Sequence, residues 1–354
     1  MNQPEIRYVL ASSNTVEGFL SFIPELIKNL RQVYILKGAA DGAVSSFIRM
    51  CGEFFYEKGC ALEFWVSSVA PFNIDGVYVP SLGIAVVKGT LPEEVEPLPP
   101  GIGVEFINLG DFIGKGIREE RINELNELAD KLREEQAKAF KEIKNAGRIK
   151  EEIYTASPFK MDITRLQELT QKLIADMEKG YERERHYFAW AFTPEGRIDY
   201  MEEISRRCHR RYILKGPAGS GKSTVINNLA EFFREKGYFL EYYHNGLNRE
   251  SLDMLIVENL RTAIIDGGEK GILTRPGDVV IDMRDFSSYS EEEDIDRCID
   301  LMRSYEKELE KAREYLEKSR DYLQKIDLIW TKGLDLAALE EKRRELERNF
   351  IKEY

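Results

Sequence analysis

A second copy of the same unit, displaced by 178 positions, runs through this chain. YILKG at 34–38 falls on YILKG at 212–216, and 21 of the 56 pairs between 34/212 and 89/267 are identical without a gap. EFFYEKG at 53–59 lies on EFFREKG at 231–237, Asp75 on Asp253, and Gly89 on Gly267. Upstream, Thr15, Glu17 and Gly18 lie on Thr193, Glu195 and Gly196. An internal repeat of this length constrains the fold more than any single motif, because one architecture must serve both halves.

Each copy reads as an α/β unit: an apolar strand, a glycine-containing turn, an amphipathic helix closed by Lys-Gly, then two further strands. Alternating strands and helices predict a parallel sheet covered on both faces. A long charged helical stretch follows each unit. In the second copy Ser290 with Glu293 forms a capping box, and Ile295, Cys298, Met302, Tyr305, Leu309, Ala312, Leu316, Ser319, Leu323, Ile326 and Trp330 recur at spacings of three and four. That spacing predicts a coiled-coil seam. Ile122, Leu125, Ala129, Leu132, Gln136, Ala139, Ile143 and Ala146 repeat it in the first copy. Second helices start near Asp162 and Asp335, after breaks at Pro158 and Gly333, so each copy is expected to carry a helical hairpin. The seam is free to close within the chain or between chains, and the hairpins offer a surface for a protein partner.

GPAGSGKST at 216–224 fits G-x-x-x-x-G-K-[ST], directly after the strand RRYIL and at the start of a helix. Glycines at 216, 219 and 221 let backbone N–H groups turn inward as an anion nest, and the helix N-terminus adds partial positive charge. Gly216, Gly219, Ser220, Gly221, Lys222, Ser223 and Thr224 are therefore the expected nucleotide-binding residues. Lys222 is expected to reach the β- and γ-phosphates and Ser223 to ligate Mg²⁺. Asp266 closes the apolar strand TAIID and supplies the second Mg²⁺ ligand, so Lys222 and Asp266 are the catalytic candidates. The cofactors implied are Mg²⁺ and ATP or GTP, with no guanine-reading N-K-x-D motif present.

In the first copy the same loop reads GAADGAVSS at 38–46. Val44 stands where Lys222 does, Asp41 puts a carboxylate at the place of Gly219, and Lys88 replaces Asp266. Loss of the cation and gain of an anion predict a pseudo-site that repels a triphosphate. The expected organisation is a duplicated P-loop NTPase fold: a degenerate lobe at 1–112, a helical hairpin at 113–184, an intact lobe at 185–288 and a second hairpin at 289–354. Residues confined to the second copy, His244, Arg249, Arg261 and Glu269, are further functional candidates, with Arg275 beside Arg249 and Arg261 as possible arginine fingers. Asp253 is a candidate base, and Trp190, Tyr242 and Tyr243 are candidates for stacking on a nucleobase.

A formal charge of -12 argues against broad capture of nucleic acid or anionic lipid. Cys51, Cys60, Cys208 and Cys298 show neither C-x-x-C pairing nor nearby histidine, as expected of reduced packing thiols. No run of about 18 apolar residues and no signal-peptide pattern occurs, so a cytoplasmic protein without membrane association is expected.

Together these residues resemble a bacterial family of tandem P-loop proteins described as ATPase-like or nucleotide-binding. The resemblance is carried by YILKG entering the phosphate loop, Tyr243-His244-Asn245-Gly246, Ser251-Leu252-Asp253, Ala263-Ile264-Ile265-Asp266-Gly267 and Arg275-Pro276-Gly277-Asp278, and covers nearly the whole chain. Members have two recognisable loops; here the first departs at Asp41, Ala43 and Val44. The expected function is an ATP-Mg²⁺-binding ATPase or nucleotide-dependent switch with one competent site. The alternatives are a small-molecule or nucleotide kinase and a non-catalytic nucleotide-binding adaptor.

Overall fold

The computed structural model describes residues 4–90, 103–157, 159–174, 183–268, 272–289 and 292–353. Pro158, Glu269 and Ser290, singled out above, lie outside the described residues. The first copy runs β1 (Ile6–Val9), β2 (Ser12–Thr15), β3 (Gly18–Ser21), α1 (Ile23–Ile27), β4 (Gln32–Lys37), α2 (Asp41–Glu57), β5 (Leu62–Val66), β6 (Ile74–Val79), β7 (Ile84–Lys88) and β8 (Val104–Asn108). The long helix α3 (Lys115–Ala156), β9 (Phe159–Met161) and α4 (Ile163–Ile174) follow. The second copy runs β10 (Arg183–Phe188), β11 (Trp190–Thr193), β12 (Gly196–Asp199), α5 (Met201–Ser205), β13 (Arg210–Lys215), α6 (Lys222–Glu235), β14 (Phe239–Asn245), β15 (Asn248–Val257), β16 (Thr262–Gly268) and β17 (Val279–Asp282). It ends with β18 (Ser287–Tyr289), the long α7 (Glu292–Thr331) and α8 (Leu336–Glu353). Under the 178-position shift, β2, β3, α1 and β4 coincide residue for residue with β11, β12, α5 and β13.

The repeated local motifs have local causes. Thr15 Oγ1 donates to Gly18 O at 2.9 Å and accepts from Glu17 N, and Thr193 does the same with Gly196 and Glu195, so the shared Thr-x-Glu-Gly closes one tight turn in each copy. α6 buries Val225, Ile226, Leu229, Ala230 and Phe233 along one face. It stops where Gly237 takes a left-handed φ of 73°, the role Gly59 plays after α2.

Two α/β sheet-plus-helix repeats result, each with six strands, in the orders β1-β5-β6-β7-β4-β8 and β10-β14-β15-β16-β13-β17. The expected parallel sheet is corrected at one strand per copy: β6 and β15 run antiparallel to both neighbours, and the remaining pairs are parallel. Only Gly246 and Leu247 separate β14 from β15, and a parallel pair needs a crossover of about a dozen residues, so this connection permits a hairpin alone.

The long helices pack with each other. α3 and α7 lie antiparallel: Gly114 N, just before α3, donates to Gly333 O, just past α7, at 3.0 Å. Ala139, Ile143 and Ala146 of one predicted seam and Ala312, Leu316 and Ser319 of the other are buried within the chain, whereas Ile122 and Met302 of the same stripes are exposed. A helix of 42 residues extends about 60 Å, which carries α3 from its own copy to the far one. There α4 docks on α6, with Leu166, Leu169 and Leu173 joining Val225 and Leu229. Reciprocally α8 docks on α2, and Phe350 lies 5.0 Å from the Tyr34 ring and 4.7 Å from that of Phe55. Instead of a separate hairpin on each copy, each copy is covered by the other's short helix.

Between the copies runs a pseudo-dyad. Leu10 and Phe188, equivalent under the shift, form an antiparallel bridge. Arg7 is equivalent to Arg185 and Glu63 to Glu241, and they pair crosswise: Arg7 donates to Glu241 at 2.8 and 2.6 Å, and Arg185 to Glu63 at 2.8 Å. Tyr187 and Trp65 add donors to Glu63, and Tyr243 and Arg207 to Glu241. Burial acts to raise both carboxyls; the guanidinium fields overcome it and hold them below the usual range.

At the rim of this interface His186 Nδ1 lies 2.9 Å from His244 Nε2, and His244 Nδ1 lies 2.5 Å from Arg249 O. The carbonyl fixes Nδ1–H on His244, so its Nε2 accepts from His186 and both rings are neutral. Burial, then the neighbouring His186, pushes His244 down to about 3, and burial lowers His186. A base lowered on folding takes up more protons when unfolded, so the stability it contributes is complete at neutral pH and is lost as pH falls below about 6.5. Between pH 7 and pH 5 thermal unfolding is expected to show a loss of up to about 2 kcal/mol, at about 1.4 kcal/mol per pH unit below 6.5. His244→Gln should flatten that slope; an unchanged slope refutes the assignment.

Candidate functional site

β13 delivers the chain into the loop at 216–221, where Gly219 (φ 82°) and Gly221 (φ 89°) occupy left-handed conformations that other residues adopt with strain. Gly221 is the N-cap of α6, so the helix starts at Lys222 with its unsatisfied N–H groups at the loop. Lys222 is buried, and its Nζ donates to Gly216 O at 2.8 Å and Pro217 O at 2.7 Å, 3.9 Å from Asp266 Oδ1. Ser220 Oγ ties back to Pro217 O at 2.8 Å, and Ser223 Oγ lies 3.4 Å from Ser251 Oγ.

Asp266 lies on β16, in register with Leu214 of β13, and its Oδ1 accepts from Gly268 N at 2.8 Å. Burial pushes its carboxyl up to about 6; Lys222 pulls it down and Asp253 pushes it up. Asp253, on the inverted strand β15, accepts from Trp190 Nε1 at 2.8 Å and Asn245 Nδ2 at 2.9 Å. These groups open on a cleft of about 910 Å³, lined by Gly216, Lys222, Ser223, Asp253 and Asp266 among the residues named from sequence. Gly219, Ser220 and Gly221 shape the loop behind it, and Thr224 is exposed on the first turn of α6.

The other wall comes from distant sequence. Ile153 and Tyr154 of α3 and Cys298, Ile299, Met302 and Tyr305 of α7 form an apolar end with two tyrosines. Ser157 Oγ donates to Ala218 O at 2.9 Å, and a Cβ at Gly219 would come within 2.7 Å of Ser157 Oγ, so the end of α3 rests on the glycine loop. Lys150 reaches in from the same helix face, its Nζ 3.5 Å from Asn245 Oδ1; burial lowers its pKa against the pull of Asp253 and Asp266. Arg197 lines the cleft with its guanidinium 4.6 Å from the Trp190 ring centre.

Several sequence candidates serve elsewhere. Arg249 lies over the Phe22 ring, Arg261 pairs with His209, and Arg275 donates to the carbonyls of Ser205, Arg206 and Cys208. His244 belongs to the histidine pair, Tyr242 stacks on His186, Tyr243 joins the central charge network and Trp190 holds Asp253. The residues missed, Lys150, Tyr154 and Arg197, carry no local motif, and Tyr305 was read only as part of the helical seam.

In the first copy the equivalent charges are reversed. Val44 is fully buried, and Lys88 Nζ lies 2.6 Å from Asp41 Oδ1 and 2.7 Å from Asp75 Oδ1. Asn73 donates to Asp41 at 2.6 Å, and Asp327 of α7 accepts from Gly42 N at 3.1 Å. Carboxylates of the chain itself therefore occupy the start of α2.

Among the described residues no cluster of three or more His, Cys, Asp or Glu side chains could hold a metal unaided. Ser223, Asp266 and Asp253 nonetheless present the oxygen donors that suit Mg²⁺, which takes one or two carboxylates together with phosphate oxygens and water. Comparison of the chain with protein-family models, with curated proteins and with solved structures yields no match. Among the described residues no helix is long and apolar enough to cross a membrane.

Proposed function

We propose that the chain is a P-loop ATPase or nucleotide-dependent switch with one competent site, in the second copy, and a pseudo-site in the first. The observation that carries this reading is the buried Lys222 at the start of α6, 3.9 Å from a strand-end Asp266 whose raised carboxyl lacks full compensation. In this reading the loop N–H groups and Lys222 bind the β- and γ-phosphates, while Ser223 and Asp266 hold Mg²⁺. Bound Mg²⁺ supplies neutralisation of charge on the phosphate oxygens. Tyr154 and Tyr305 provide aromatic surface for the nucleobase at the apolar end. The Asp41–Lys88–Asp75 cluster supports the pseudo-site, since it places carboxylates where phosphate would lie. Because α3 ends on the loop, occupancy has a direct route to the pair of long helices.

Calorimetric titration of Mg-ATP and Mg-GTP, with phosphate release followed in the same samples, tests the proposal. One site per chain with slow release is expected. Two sites refute the pseudo-site, no binding refutes the nucleotide reading, and labelled phosphate passing to a metabolite instead of water assigns a kinase.

A further inference from the structure

We propose that Lys150, carried by the long helix of the first copy, is a phosphate ligand in the second copy's site, contacting the γ-phosphate end of a bound nucleoside triphosphate. This rests on the nucleotide reading above and adds that the competent site is composite: neither copy holds all its cations.

Lys150, Ile153, Tyr154 and Ser157 recur at spacings of three and four and all line the cleft, so one face of α3 is committed to the site. Ser157 anchors that face to the loop through Ala218 O. A partly buried ammonium lining a cleft is stabilised by a carboxylate or anionic partner. Among the described residues Lys150 forms no ion pair within 4 Å, and its closest hydrogen bond is the long one, 3.5 Å, to Asn245. Asn245 is in turn held by Asp253 at 2.9 Å. The carboxylates whose fields reach Lys150 most strongly are Asp253 and Asp266, ahead of its neighbour Glu151, and they lie on the side where Mg²⁺ and the terminal phosphate would bind. An ammonium left without a direct ion partner beside two carboxylates and an anion-binding loop is placed to bind an incoming anion.

The other copy supports this by contrast. In the long helices the two copies are offset by 173 positions, as Ala139 and Ala312 or Asp162 and Asp335 show, so Lys150 corresponds to Leu323 and Tyr154 to Asp327, whose carboxylate accepts from Gly42 N. Thus α3 delivers a cation to the intact loop and α7 delivers an anion to the degenerate one.

The test titrates Mg-ATP and Mg-ADP into wild-type protein, K150M and K150R, with the melting temperature of each recorded without ligand. K150M should weaken Mg-ATP binding about tenfold or more, as loss of a charged hydrogen bond implies, and Mg-ADP less than about threefold. K150R, which keeps the charge and has its own fold check, should recover most of the Mg-ATP affinity. Equal losses for both nucleotides would make Lys150 only a counter-charge to Asp253 and Asp266 and overturn the inference, as would unchanged Mg-ATP binding in K150M. Those results leave the nucleotide reading standing; wild-type protein that binds neither nucleotide overturns both.

Discussion

Lys222→Ala is expected to weaken Mg-ATP binding by about 100-fold or more while leaving the chain folded. Each hydrogen bond from a charged group contributes about 1.5–3 kcal/mol, and two to phosphate oxygens correspond to about 100-fold or beyond. The effect is amplified by the surroundings. Lys222 pulls the Asp266 carboxyl down against burial and Asp253, so its removal leaves two carboxylates facing an incoming triphosphate. The fold should survive because the hydrogen bonds of its ammonium stay within the loop, to Gly216 O, Pro217 O and Ser220 Oγ, whereas Val225, Leu229 and Phe233 hold α6 in place. Calorimetry on the variant reads the affinity and its melting curve the fold. Mg-ATP affinity within threefold of wild type would refute the phosphate-loop assignment.

The largest loss of stability is expected from Glu241→Ala at the pseudo-dyad. Glu241 is 1% exposed and accepts from Arg7, Arg207 and Tyr243. Its removal takes from Arg7 and Arg207 the carboxylate they share, leaving them Glu63 and Glu258 respectively, and breaking a buried ion pair from one side costs about 3–5 kcal/mol. At about 2.1 cal/mol/K of unfolding entropy per residue, a chain of 354 residues shifts by about 1.3 °C per kcal/mol, so the melting temperature should fall by roughly 5 °C. Because Arg7 belongs to the first copy and Glu241 to the second, both should unfold earlier together. Denaturant titration showing less than about 1 kcal/mol of loss would mean the network is not holding the copies together.

The features legible in sequence were those written in contiguous residues. The repeat, the glycine loop, Lys222 and the strand closing at Asp266 each depend on neighbours within one element, and the structure puts Lys222 and Asp266 together because β13 and β16 are adjacent. The inverted strand was also written locally, in Asn245-Gly246, a dipeptide that favours a tight hairpin. What stayed hidden depends on which surface a helix chooses. The spacing of Ala139, Ile143 and Ala146 shows that a face is buried but not against what, so neither the exchange of α4 and α8 nor the arrival of Lys150 and Tyr154 could be read. The crosswise network did leave a trace: Arg7 and Arg185, and Glu63 and Glu241, are charges repeated at the same shift inside apolar strands. Asp75 and Asp253 show the limit of reasoning from repetition, since one completes an ion cluster with Lys88 and the other holds Trp190 at the cleft.

The exchange of short helices sets an order on the ribosome. α4 is made before α6, so the second copy finds its cover already waiting. α8 is made after every strand of both copies, so α2 and the rings of Tyr34 and Phe55 stay uncovered while the second copy is translated. The half that emerges first is therefore the last to be finished, and during that interval its apolar face is the part of the nascent chain most in need of a chaperone.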